Sequence, residues 1–140
     1  QVGSIDEIIA INQQVEGTQL VIDWGHLHAR NLGGFRKVED MRVIAEKVEK
    51  ELGIDALRSM HCHFSAIEFT SQGEKRHRTL DEKGYGPDFS FLAQLIVEFG
   101  LHPTIICETP ILDIDAKKMK EILKETYTIK QEERKTLSVK

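Results

Sequence analysis

The chain has 140 residues, 40% of them apolar, which suits one domain with a packed core. Lys and Arg total 19 against 23 Asp and Glu, a formal net charge of −4. That balance argues against a non-specific nucleic-acid coat, which is normally basic, but leaves room for DNA binding through a local patch and bound metal ions. Neither a signal-peptide pattern nor an apolar run of membrane-spanning length is present. Cys62 and Cys107 both lie in apolar runs, as buried thiols of a reducing compartment do, so a cytoplasmic protein is expected.

The chain opens with Gln1 in a loop-like QVGS phrase, and this start reads like a cut inside a longer protein. Ser4 and Glu7 then form the S-x-x-E pattern of a capping box ahead of an apolar run, predicting a helix over 4–15. Residues 19–24 (QLVIDW) predict a short buried strand. Over 37–52, Val38, Met41, Ile44, Ala45, Val48 and Leu52 recur at helical spacing, and Gly53 follows as a stop. Residues 57–64 (LRSMHCHF) predict a second strand. The polar stretch 65–86 reads as a long loop of the kind that is functional or mobile.

Pro87 opens a predicted helix through Phe99, ended by Gly100. The run 104–108 (TIICE) predicts a third strand, apolar enough to be covered on both faces. A last helix is expected over 115–125, and 127–140 is expected to be a polar tail. Strands alternating with helices predict a parallel sheet with helices outside. Three strands are few for such a sheet, so further strands outside the chain, or a second copy of it, are expected to complete it.

The chemistry-bearing residues gather where the predicted strands end. Asp23 and His26 frame IDWGH, His61 lies in MHCH, His77 in KRHR, and Glu108 closes TIICE. Imidazoles and carboxylates at strand ends build divalent-metal sites, for which zinc or manganese suits the donors. His61 and His63, two apart on a strand, share one face. A carboxylate such as Glu108 after four apolar residues is costly to bury unless it is paired or metal-bound. Arg76 and Arg78, flanking His77, are candidates to contact phosphate.

Taken in order, IDWGH, MHCH, RHRTLDEKGYG and CETP resemble the last part of endonuclease IV and its relatives, xylose isomerase-like barrels that cleave DNA at abasic sites. The resemblance runs from about Gly3 to Lys124. It implies that residues 1–126 are the C-terminal part of a TIM barrel, with about three parallel βα units corresponding to its last strands. It further implies zinc as cofactor: Asp23, His61 and Glu108 would serve one ion, and His26 and His77 another. Arg76 would lie near the DNA backbone.

The sequence departs from the family's pattern in three respects. Lys75, with Glu74 beside it, stands where the family has a loop aspartate. His63 stands where an amide is more usual. The family's bridging strand glutamate and two earlier histidines would lie before Gln1. The expected function is metal-dependent phosphodiester hydrolysis at abasic sites by a longer parent, with little activity in this chain alone. Two alternatives stay open: a single-metal sugar isomerase or epimerase, and a non-catalytic, self-associating partial barrel.

Overall fold

The computed structural model describes residues 3–139. Gln1 and Val2 of the opening phrase, and Lys140 of the tail, lie outside them. Helix α1 (Ile5–Gln14) starts where the capping box predicts: the Ser4 hydroxyl accepts the Glu7 N–H, and the Glu7 carboxylate accepts the Ser4 N–H at 2.9 Å. Strand β1 (Val21–Asp23) runs straight into a short helix, α2 (Trp24–Arg30), because the Asp23 carboxylate caps it by accepting the His26 N–H at 2.9 Å. Helices α3 (Val38–Leu52) and α4 (Ile54–Arg58) meet at Gly53, and strand β2 (His61–Phe64) comes next.

Strands β3 (Ala66–Thr70) and β4 (Gly73–Arg78) pair antiparallel. Helix α5 (Phe89–Phe99) then leads through a left-handed Gly100 to β5 (Thr104–Cys107), and α6 runs Asp113–Ser138. The last helix therefore extends well into the stretch expected to be a polar tail.

The expectation of a partial TIM barrel made of three parallel βα units is corrected by this topology. The fold is mixed α/β: a small three-stranded parallel sheet, ordered β1-β2-β5, and a separate two-stranded antiparallel sheet, β3-β4. After β2 the chain forms this hairpin, where a loop leading to a crossover helix was expected. GEKRHR has no apolar alternation to mark it as a strand. It pairs because Glu68 on β3 gathers Lys75, Arg76 and Arg78 across the hairpin. Nor is β5 covered on both faces, since Thr104 and Ile106 stand exposed.

One face of the parallel sheet carries Ile22, Cys62 and Phe64, all fully buried with Met41, Val48, Leu92, Leu95 and Ile96 of the flanking helices. Phe64 meets Phe89 edge to face at 5.0 Å between ring centroids, a contact that adds about 1 kcal/mol beyond its buried area. The opposite face carries the alternate residues in register: Val21, His61 and Thr104 form one row, and Asp23, His63 and Ile106 the next. Val21 and Ile106 are each 42% exposed there. Among the described residues, no helix is long and apolar enough to cross a membrane.

Candidate metal centre

The site is built at the C-terminal ends of the parallel strands and completed by the hairpin. Asp23 ends β1, and His63 is its partner on β2. Glu108 lies just past β5, fixed by its N–H to the Phe64 carbonyl at 2.9 Å. His63 Nδ1 lies 3.1 Å from Glu108 Oε1 and 3.9 Å from Asp23 Oδ2. Each of the three residues offers a ligand atom, and all three atoms lie within 4.8 Å of one another. His61 stands one row further back, its ring edge-on to His63 at 5.5 Å, outside that group.

A second group forms beside the first. His26, on the first turn of α2, meets Glu74 of β4 through Nε2. Glu74 Oε1 in turn lies 3.1 Å from His77 Nε2. The His26 and His77 rings stand 5.9 Å apart, and the three ligand atoms again fall within 4.8 Å of one another. Asp23 joins the two groups, because its Oδ2 also meets His26 Nδ1 at 2.5 Å. Asp23 and Glu108 thus come together, and so do His26 and His77, the pairs that the resemblance implies. His63 stands in the first group where the resemblance implies His61, and Glu74 enters the second.

The electrostatics favour a cation. Burial works against a charged His26, but the hydrogen bond and charge of Asp23, with the charges of Glu74 and Glu108, outweigh it and raise the imidazole above its ordinary value. A field that draws a proton to this ring also draws a divalent ion. The donors fit one: imidazole and carboxylate are the ligands of zinc and manganese. The buried Nδ1 of His77 has no hydrogen-bond partner among the described residues, so that ring retains unused capacity to ligate. Arg76 lies on β4 beside this group with 60% of its side chain exposed, 3.8 Å from Glu68.

Gly25 and His28 hold helix α2 against the hairpin. A Cβ at Gly25 would lie 2.9 Å from the Ser65 carbonyl and from Ile67, so only glycine lets α2 approach the start of β3 this closely. His28 is buried between the rings of Phe35 and Phe69, and its Nδ1 accepts the Phe35 N–H at 3.1 Å. Burial, aided by nearby Arg36, pushes its pKa down to about 4, so it is a neutral structural group.

Fold and site together define a mixed α/β domain with a two-part imidazole–carboxylate centre. No family model matches the chain. It is 34% identical over 116 residues to an uncharacterized protein of Methanocaldococcus jannaschii, a match covering 83% of this chain and 41% of that protein. The chain thus spans about two fifths of the length of the curated relative it matches.

Proposed function

We propose that this chain carries part of the catalytic centre of a divalent-metal-dependent phosphodiesterase, and that its substrate is DNA at abasic sites. The observation that carries the reading is the pair of three-donor groups joined through the Asp23 carboxylate. Two adjacent ions suit phosphodiester hydrolysis, where the attacking and leaving oxygens both need charge stabilisation. A sugar isomerase with a single ion would leave the second group without a role. The abasic-site assignment rests on the resemblance of IDWGH, MHCH, RHRTLDEKGYG and CETP to endonuclease IV.

In this reading Asp23, His63 and Glu108 hold one ion, and His26, Glu74 and His77 the other. Bound there, such ions supply a water activated near neutral pH and neutralise charge on the phosphate. Asp23 orients the His26 ring by engaging Nδ1, which leaves Nε2 to face the second group. Arg76, exposed on β4, contacts a backbone phosphate, and charge-assisted pairing there offsets the chain's net negative charge. The two free cysteines suit a reducing cytoplasm. Polypeptide outside this chain covers the exposed Val21–Ile106 face. This is supported by the outer edges of β1 and β5, which pair with no strand among the described residues, and by the span of about two fifths of the relative.

The test is cleavage of an oligonucleotide duplex bearing one abasic site, by this chain and by the longer polypeptide that contains it. Zinc- or manganese-dependent nicking at that site by the longer form, abolished by chelator, is the expected result. Chelator-resistant cleavage, or none with either metal, would overturn the reading.

A further inference from the structure

Among the described residues one carboxylate is fully buried, and the chemistry above does not use it: Asp115, in the first turn of α6. Its Oδ2 accepts the Leu80 N–H at 3.0 Å. Its Oδ1 has no hydrogen-bond partner among the described residues and lies 3.6 Å from the Lys118 ammonium. A buried carboxylate is a costly way to hold two elements together, and well-packed apolar side chains would do so at least as firmly. What the polar contact adds is direction: it fixes a register that packing alone would let slide.

The contact joins the two segments that lead away from the donor groups. From Glu108 a short turn, closed by the Leu112 N–H on the Thr109 carbonyl at 3.1 Å, enters α6. Leu80 lies just past Arg78, the end of β4. A bulge at Lys75, where Glu68 opposes Arg76 but Phe69 opposes Glu74, brings Glu74 and His77 to one side of that strand. The hairpin is seated on α2 by Phe69 on His28 and by the close approach of Gly25 to Ile67. That seating leaves its outgoing end to be tied elsewhere. Leu80 packs against the core, a contact without direction. Lys118 meets Asp81, which is exposed, and an exposed ion pair adds little. The Asp115–Leu80 hydrogen bond is the buried, directional tie.

We propose that Asp115 is a positioning residue of the centre. By fixing Leu80 against α6, it sets the spacing between the sheet-end group, which contains Glu108, and the hairpin donors Glu74 and His77. This rests on the proposed function, in which both groups hold divalent ions that act together on one phosphate. Asp115 touches neither the ions nor the substrate. It acts through the backbone at Leu80, so the site needs an acceptor of the right reach there, and the charge is secondary.

Two variants separate reach from mere presence. Asp115→Asn keeps an acceptor of the same reach, and Asp115→Ala removes it. Zinc titration of the folded Asn variant should give two ions with native affinities. In the Ala variant the second ion should bind about 10-fold more weakly. Loaded with manganese, the native and Asn proteins should give the spin-coupled electron paramagnetic resonance spectrum of neighbouring ions, and the Ala protein that of isolated ions. A merely structural carboxylate would lower the unfolding midpoint of the Ala variant but leave its zinc affinities and spin coupling native. That result would overturn the proposal and leave the two-site reading standing. Loss of the coupled spectrum in Asp115→Asn would also overturn it. Fewer than two ions bound by the native chain would overturn both.

Discussion

Asp23 holds His26 twice: its Oδ1 accepts the His26 N–H at 2.9 Å, and its Oδ2 meets the ring Nδ1 at 2.5 Å. The same carboxylate therefore starts α2, aims an imidazole, and lies 3.9 Å from His63 in the neighbouring group. Replacing Asp23 by Asn keeps a capping oxygen but removes the charge. Thermal unfolding of Asp23→Asn should shift by less than about 1 kcal/mol, while metal retention falls at both groups. Unaltered metal content in a folded Asp23→Asn protein would remove Asp23 from the centre.

His61 and His63 share one face of β2 but stand in successive rows of the sheet, His61 beside Val21 and His63 beside Asp23. His63→Ala should lose the ion of the sheet-end group. His61→Ala should retain it, with at most a modest change in affinity from the lost ring contact. Metal-to-protein ratios of the two variants, measured side by side, decide the assignment. The reverse pattern would restore His61 as the ligand.

His28 is predicted to matter for stability. A His28→Leu variant preserves bulk but leaves the Phe35 N–H without its acceptor. An unpaired buried donor costs about 1–3 kcal/mol, so the denaturation midpoint should drop accordingly. A midpoint within error of the native chain would mean the Phe35 N–H finds another partner.

The hairpin should also loosen in acid. Hydrogen bonds from Lys75 and Arg78 hold the Glu68 carboxyl down at about 2, below its ordinary 4.5. A depressed carboxylate contributes stability that is full above its unfolded value and is lost as pH falls through the folded one. Amide protection factors in β3 and β4, exchange rates taken relative to the unfolded chain at the same pH, should therefore fall between about pH 4.5 and 2, and Glu68→Gln should flatten that dependence. Glu68 is partly solvated, so the effect on global stability is small.

The sequence carried the helices best, because α1, α3 and α5 each have a cap or stop residue and a clear apolar period. It carried the ends of the strands poorly. Trp24 reads as the end of a strand, yet Asp23 caps a helix there, and cap geometry overrides the apolar run. The hairpin was hidden because Lys75, Arg76 and Arg78 look like a solvated charge run until Glu68 is placed opposite them. Four of the five expected ligands, Asp23, His26, His77 and Glu108, stand in the two donor groups, although only Asp23 and Glu108 lie where a parallel strand ends. The preference for His63 over His61 needed the register of β2 against β1. The part played by Glu74 depends on a one-residue bulge that has no signature in composition or spacing.

Zinc titration of the purified, chelator-stripped protein, followed by calorimetry and elemental analysis, probes the two adjoining donor groups together. Two zinc ions should bind per chain, one lost in His63→Ala and the other in His77→Ala. Failure to bind zinc, or binding that neither substitution reduces, would contradict the two-site reading.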